Sequence, residues 1–123
     1  MNNAQSLPSL TIKGKKIKVP IIQGGMGVGV SLSPLAGAVA AEGGIGIISS
    51  AALDRIVSKR KGMKQTTYEA VYEEISLAKA KGGASGINIM VALFQTYEDT
   101  VKAAIDADAD VIMCERFTPG SQL

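Results

Sequence analysis

Residues 20–31 read PIIQGGMGVGVS, and they decide the fold class of this chain. The apolar run at residues 20–23 is too short for a helix and passes directly into a glycine-rich stretch at residues 24–29. A short apolar run of this kind is typical of a buried strand that is followed by a loop. We therefore predict that the first strand of a sheet ends at Gln23 and that a glycine loop follows it.

The same alternation of strand and helix continues along the chain. Further strands are predicted at residues 45–48, 87–91 and 111–113, and helices at residues 34–42, from Thr66 to the glycines at 82–83, and from Thr96 onward. Ahead of them, residues 10–12 and 17–19 flank a lysine-rich turn and predict a short hairpin. Strands that alternate with helices and are apolar on both faces form parallel sheets, whose ligands lie beyond the carboxyl ends of the strands. The predicted fold class is α/β, with about four parallel strands and three helices after the hairpin.

Local signals predict where the helices begin and what lies between them. Ser33 is followed by proline and is typical of an N-cap, and Thr66 with Glu69 predicts a capping box. The polar and basic residues 53–65 predict a long surface loop or lid. The third helix is expected to bury four residues at helical spacing, namely Tyr97, Val101, Ala104 and Ile105.

The composition excludes several kinds of function. The chain contains no histidine and one cysteine, Cys114, so it offers no Ser-His-Asp triad, no histidine base and no His-rich or Cys-rich metal site. The formal net charge is only +2, and the aromatic residues are three Tyr and two Phe, which argues against nucleic-acid binding. Since neither a signal peptide nor a membrane span is evident, we expect a cytoplasmic protein that does not act at a membrane.

The glycine loop could serve a ligand or only the packing of the chain. Glycines let backbone N–H groups approach a phosphate or a flat aromatic ring, because no Cβ stands in the way. A Rossmann fingerprint that starts at Gly25 needs glycine at Val30, and it needs an acidic residue where residues 49–50 are serines. A P-loop needs a Gly-Lys-Ser/Thr triplet, which the chain lacks. Both nucleotide-binding motifs are therefore disfavoured.

Residues 20–31, together with LAGAVA at residues 35–40 and EGGIGIIS at residues 42–49, closely resemble the nitronate monooxygenase family, formerly called 2-nitropropane dioxygenases. The resemblance continues through GINIMVA at residues 86–92 and covers the chain from about residue 10 to residue 114. It implies a TIM barrel that holds FMN at the carboxyl ends of its strands and oxidises alkyl nitronates with O2. The flavin-dependent enoyl-acyl-carrier-protein reductases are similar to a lesser degree and are the alternative family.

The resemblance also implies which residues contact the cofactor. Gly25, Met26 and Gly27 would place backbone against the FMN ring, and the Asn88 amide would hydrogen-bond the cofactor from the end of its strand. An amide within an apolar strand needs a partner, because an unpaired one costs about 1–3 kcal/mol. Gln23 is a lesser candidate for a polar contact. No catalytic residue and no metal ligand is predicted, and the expected partners are a small nitronate and O2.

The resemblance breaks at residues 114–123, which read CERFTPGSQL where the family continues with a glycine-rich loop. A full barrel needs about 250 residues, so we expect residues 1–123 to be a single incomplete domain, the N-terminal half of a TIM (β/α)8 barrel, with 114–123 as a divergent tail. Such a half lacks the family's catalytic histidine region, so we expect it to be inactive alone. Its unpaired edge strands favour self-association. The alternative is a non-catalytic α/β module that binds a small anion or a partner protein through the glycine loop and the basic residues 55–64.

Overall fold

The computed structural model describes residues 7–91 and 94–115. Within them a two-stranded hairpin precedes helices that alternate with the strands of a parallel sheet. The strands are β1 (Leu10–Ile12), β2 (Lys15–Ile17), β3 (Ile45–Ser49), β4 (Ala84–Met90) and β5 (Val111–Glu115). The helices are α1 (Ser33–Ala41), α2 (Leu53–Lys61), α3 (Thr67–Lys79) and α4 (Phe94–Asp106). The predicted α/β class is confirmed, and no helix in these ranges is long and apolar enough to cross a membrane.

The sheet has the order β3-β4-β5, and its strands are parallel. Ser49 pairs with Asn88 and Met90 pairs with Glu115, so the carboxyl ends of the three strands lie side by side. The main core joins one face of the sheet to the helices, and its strand residues are Ile48, Ile87 and Ile89. Because successive side chains alternate between the two faces of a sheet, Asn88 lies on the opposite face.

Residues 20–23 form an edge contact instead of the buried first strand that was predicted. They make one parallel bridge, between Ile22 and Ile45, with hydrogen bonds from Ile45 N to Ile21 O (2.9 Å) and from Gln23 N to Ile45 O (3.0 Å). The backbone hydrogen-bond ladder with β3 stops there because the Ile21 N–H donates to Val19 O, at 2.7 Å, within its own segment. Ile21 and Ile22 are 62% and 47% exposed, so the prediction of burial is wrong for both. The described sheet therefore has three strands and this contact, not four strands.

Residues 53–61 form helix α2, so the predicted surface loop is wrong over this range. Leu53 and Val57 lie one turn apart and are both buried. Asp54 lies in the first turn and three basic residues lie in the last, which is the charge arrangement that the helix macrodipole favours. The many charged residues conceal this short apolar stripe in the sequence. The described residues therefore contain four helices where three were predicted.

Helix α1 begins at Ser33, but Ser33 does not cap it. Leu32 occupies the N-cap position without a side-chain bond, and the Ser33 N–H donates to Glu74 Oε1 at 2.9 Å. Glu74 lies on α3, is fully buried, and also accepts a hydrogen bond from Arg60 Nη2 at 2.7 Å. A buried carboxylate from a neighbouring helix thus replaces the predicted serine cap.

The predicted capping box at the start of α3 is confirmed. Thr66 Oγ1 accepts from the Glu69 N–H at 3.1 Å, and Glu69 Oε1 accepts from the Thr66 N–H at 2.9 Å. The hydrogen bonds from Thr66 hold the pKa of the Glu69 carboxyl below its usual range. This helix start is therefore determined by residues close in sequence.

Helix α4 buries a narrower face than predicted. Ala104 is buried, and Tyr97 and Val101 pack partly against the main core. Ile105 is 64% exposed, so its predicted burial is wrong. The helix turns its small residues toward the core instead, and its buried residues are Thr100, Ala103 and Ala104.

The hairpin covers the amino end of the sheet. Ile17 of β2 is buried against the first residues of β3 and β4 in a second, smaller core. Lys15 Nζ reaches Asp110 Oδ1 at 3.2 Å, and Asp110 Oδ2 accepts from the Ser85 N–H at 2.9 Å. The Asp110 side chain is completely buried, so it fastens the hairpin to the starts of β4 and β5.

We expect Asp110 to make the fold sensitive to acid. Burial opposes its ionisation, but the Ser85 N–H and the ammonium groups of Lys15 and Lys79 prevail and hold the pKa of Asp110 below its usual range. Because the folded pKa lies below the unfolded value of about 3.9, the stabilisation is complete above that value and is lost as the pH falls through the folded pKa. Asp110→Asn should lower the free energy of unfolding by about 3 kcal/mol at neutral pH, as measured by urea denaturation. The difference from the wild type should narrow below about pH 4.

Asp108→Asn is the matched control for this prediction. Asp108 also pairs with Lys13 and Lys79, but its side chain is 73% exposed. Its replacement should therefore change the stability far less than Asp110→Asn. Equal stabilities of the two variants at neutral pH would show that Asp110 does not hold the hairpin in the way described.

Candidate functional site

A cavity of about 280 Å³ opens at the carboxyl ends of the three parallel strands. It lies between the glycine loop (residues 24–30) and the residues that end or follow β3, β4 and β5. Its lining residues are Gly25, Gly27, Val28, Ser49, Ser50, Ala51, Asn88, Met90 and Glu115. The structure thus brings three of the predicted site residues together, namely Gly25, Gly27 and Asn88. Since α/β folds bind ligands at this end of the sheet, the cavity is the candidate site.

The two lining glycines are required by the packing of the loop on the sheet. A Cβ on Gly25 would lie 2.8 Å from Asn88 Cβ and 3.1 Å from Ile47 Cγ2. A Cβ on Gly27 would lie 2.8 Å from Ala51 Cβ. Both added atoms would point toward the protein, so glycine is needed for close approach of the loop and not to clear space for a ligand. The backbone of both residues nevertheless lines the cavity.

Asn88 lies near the end of β4, and only one of its two side-chain polar atoms has a hydrogen-bond partner in the described part of the chain. Its Nδ2 donates to Glu115 Oε1 at 3.1 Å. Its Oδ1 is buried and has no hydrogen-bond partner among the described residues. An unpaired buried acceptor costs about 1–3 kcal/mol, which a donor from a ligand would recover. The carboxylate partner was not predicted, and the open acceptor is the stronger pointer to a ligand.

Met26 and Gln23 serve the glycine loop and do not line the cavity. The Met26 side chain is 53% exposed, and its backbone N–H donates to Ser31 Oγ at 2.8 Å. Gln23 Nε2 donates to Ser31 Oγ at 3.0 Å and to Ile47 O at 3.1 Å, and its Oε1 accepts from the Ile47 N–H at 3.1 Å. Ser31 is fully buried, so it closes the loop from within. Gln23 thereby fastens the loop to β3 where the backbone ladder is short.

Ser49, Ser50 and Glu115 line the cavity although they were not predicted as site residues. The two serines stand at the end of β3, and that position was their only signal in the sequence. Glu115 fell within the expected tail, but Cys114 and Glu115 are the last residues of β5, and the Val91 N–H donates to Glu115 O at 2.9 Å. The pairing of β5 with β4 therefore places the Glu115 carboxylate at the cavity.

The basic segment at residues 55–64 is partly engaged in ion pairs. Arg60 Nη2 lies 2.8 Å from Glu73 Oε2 and 2.7 Å from Glu74 Oε2, and Lys61 also pairs with Glu73. The hydrogen bond to Glu74 raises the pKa of the Arg60 guanidinium above its ordinary value. These two cations therefore hold α2 against α3, which weakens the alternative of an anion-binding module.

The cavity offers hydrogen-bonding groups, two sizeable apolar side chains and one charge. Val28 and Met90 are the apolar groups, and Glu115 is the one ionisable side chain among the described lining residues. In the part of the chain that the structure describes, no three His, Cys, Asp or Glu side chains form a group that could hold a metal ion. The arrangement suits a flat, partly apolar molecule whose edge carries a hydrogen-bond donor.

Comparison with known families identifies the group to which these residues belong. The family described as nitronate monooxygenase matches residues 9–78, which is more than half of the chain. The chain belongs to the nitronate monooxygenase family. Nitronate monooxygenases are flavin-dependent oxidoreductases, and the resemblance seen in the sequence is confirmed at this level. No individual curated protein is similar enough to count as a match.

The nitronate monooxygenase match covers one part of the cavity. Gly25 and Gly27 lie within residues 9–78, as do Ser49 and Ser50. Asn88 and Glu115 lie beyond the match. The evidence that β4 and β5 contribute to the site is therefore the geometry of the sheet and not the family match.

Proposed function

We propose that this chain forms the side of an FMN site that contacts the isoalloxazine ring, in an enzyme that oxidises small nitro compounds as nitronates with O2. The observation that carries the proposal is the cavity at the strand ends, where the glycine loop meets Asn88. Ligands of α/β folds bind at this end of the sheet. Because the family is flavin-dependent, a flavin is the ligand that this position favours.

The residues present fit one side of a flavin ring. The backbone of Gly25 and Gly27 offers a surface that carries no side chains, and Met90 offers an apolar contact. Asn88 Oδ1 is an unpaired acceptor, and the isoalloxazine ring carries an N–H donor on its pyrimidine edge. The lining residues that the structure describes include no Lys or Arg, so the FMN phosphate would be bound elsewhere.

We also propose that the sheet is part of a TIM barrel. The parallel strands carry helices on one face, residues 20–23 lie at one edge, and β5 lies at the other. The hairpin closes the amino end, and the cavity opens at the carboxyl end. Eight strands complete such a barrel, so the remaining strands would come from other residues or from a second copy of the chain.

In this proposal the chain binds and orients the flavin, and it does not supply acid-base chemistry. Electron transfer between the substrate and O2 would be supplied by the bound flavin. Asn88 Oδ1 would accept a hydrogen bond from the ring edge. Glu115 would orient the Asn88 amide by accepting from Asn88 Nδ2, and the glycine loop would exclude water from one face of the ring. The chain contains no histidine, so an imidazole base would have to come from outside its 123 residues.

A flavin titration tests this proposal. We expect saturable binding of FMN and of riboflavin, with a dissociation constant of about 10 μM to 1 mM, followed by flavin fluorescence. Asn88→Ala should weaken the binding about tenfold, because it removes the unpaired acceptor. Gln95→Ala is the control, since Gln95 lines a neighbouring cavity that shares only Ser50 with this one. Absence of saturable binding, or equal affinities of the wild type and Asn88→Ala, would contradict the proposal.

A further inference from the structure

A second cavity, of about 500 Å³, opens at the same end of the sheet as the candidate site. It shares Ser50 with the candidate site and lies among the first residues of α2, α3 and α4. Its lining includes an acidic, a basic and a large apolar residue, namely Asp54, Arg55 and Phe94. Its volume falls in the range of about 300–1,000 Å³ that is typical of small-molecule sites. The proposed flavin contacts do not use this cavity.

Two opposite charges line this cavity without neutralising each other. Asp54 and Arg55 are neighbours in the chain, and successive residues of a helix do not face one another. Among the described residues, neither the Asp54 carboxylate nor the Arg55 guanidinium takes part in a hydrogen bond or an ion pair. By contrast, Arg60 on the same helix is paired with Glu73 and Glu74. Both charges of the cavity are therefore available to a ligand.

Phe94 supplies the large apolar surface of this cavity. It is the first residue of α4, and its side chain is 82% exposed. Covering an exposed aromatic ring removes apolar surface from water, which favours a ligand that carries an apolar or aromatic group. Thr67 and Gln95 also line the cavity and carry hydroxyl and amide groups that can hydrogen-bond a polar ligand.

We propose that this cavity binds a small aromatic zwitterion of the α-amino-acid type. Such a molecule carries a carboxylate for Arg55, an ammonium group for Asp54 and a ring for Phe94. A guanidinium group pairs well with a carboxylate, because its N–H donors match the two oxygens. A ligand with a single charge would be repelled by one of the two charged residues and would leave it without a partner. This site goes beyond the proposed function, since the flavin contacts lie in the neighbouring cavity.

A set of compounds with the same phenylethyl frame tests the proposal. L-Phenylalanine carries both charges, hydrocinnamate lacks the ammonium group, and phenethylamine lacks the carboxylate. Each compound would be titrated into the chain at neutral pH, and the chemical shifts of the Thr67 and Gln95 amides would report binding. We expect L-phenylalanine to bind about fivefold more tightly than either analogue, which is the effect of one favourable exposed ion pair.

Two variants assign each charge of the ligand to its partner. Asp54→Asn should remove the preference for L-phenylalanine over hydrocinnamate and keep the preference over phenethylamine. Arg55→Gln should do the reverse. Lys59→Gln and Asp99→Asn make the same changes of charge at exposed residues outside the lining of this cavity, and both should keep both preferences.

Phe94→Ala should weaken the binding of all three compounds by a similar factor, because each places the same ring against Phe94. Equal affinities of the three compounds for the wild type, or preferences that neither Asp54→Asn nor Arg55→Gln alters, would overturn this inference. Both of these variants should bind riboflavin as the wild type does. Failure of the wild type to bind flavin would instead overturn the proposed function and leave this inference standing.

Discussion

Gly25→Val is expected to weaken flavin binding at least about tenfold, a loss of about 1.4 kcal/mol or more. Even a Cβ at this position would lie 2.8 Å from Asn88 Cβ, closer than real Cβ contacts, and 3.1 Å from Ile47 Cγ2, which is tighter than most. The valine side chain must therefore lift the glycine loop from the inner face of the sheet. That movement would separate the loop backbone from Asn88, so the two walls of the cavity would no longer face one flavin ring. The measurement is a fluorescence titration with riboflavin.

Gly24→Ala is the matched control for this variant. Gly24 is the preceding residue of the same loop, but a Cβ there would meet no atom within 4 Å, and its backbone does not adopt a positive φ. Its affinity for riboflavin should equal that of the wild type. If Gly25→Val bound riboflavin as tightly as Gly24→Ala, the loop could not be a wall of the flavin site. A urea denaturation curve for each variant separates loss of binding from loss of the fold.

Gly46→Ala is expected to cause the largest loss of stability, about 3 kcal/mol or more. Gly46 is the second residue of β3, where a Cβ would overlap the carbonyl oxygen of Ala36 on α1. The obstacle is helix backbone and not the end of a flexible side chain, so α1 would have to move away from the sheet. Ala36 and Ala40 are buried on the same helix face, which shows how closely the helix approaches the strand. The free energy of unfolding in urea measures the effect.

Gly24→Ala again provides the comparison, because it adds the same methyl group to open space. It should change the free energy of unfolding by only a few tenths of a kcal/mol. If the urea midpoint of unfolding of Gly46→Ala were close to that of Gly24→Ala, α1 would not pack directly on β3.

The parts of the fold that could be predicted are those whose signals lie within a few residues. Thr66 and Glu69 stand three residues apart and form the predicted capping box, and the apolar runs at residues 45–48 and 111–113 fall within observed strands. Helix α2 was missed because its two buried residues, Leu53 and Val57, stand among charged residues. The capping of α1 was missed because its partner, Glu74, lies on another helix. A contact between distant residues leaves no trace in local spacing.

The residues of the candidate site divide in the same way, into those that could be predicted from the sequence and those that depend on contacts between distant residues. Gly25, Gly27 and Asn88 were expected at the site from the family resemblance, and the parallel topology brings them to one edge of the sheet. The Asn88 partner, Glu115, could not be found in this way, because it depends on the parallel register that pairs Met90 with Glu115. The sequence also could not show that the glycines serve the packing of the loop. That conclusion requires the positions of Asn88 and Ile47 beneath the loop.

The most direct test of the account is to locate the flavin on the chain. Nuclear Overhauser effects between the isoalloxazine protons of riboflavin, its pyrimidine N–H included, and the assigned amides of the protein would locate the ring without help from a phosphate. The account predicts cross-peaks to the amides of Gly25 and Gly27 and to the side-chain amide of Asn88. Cross-peaks confined to the opposite end of the sheet, at the cavity lined by Lys15, Lys18 and Lys81, would contradict it.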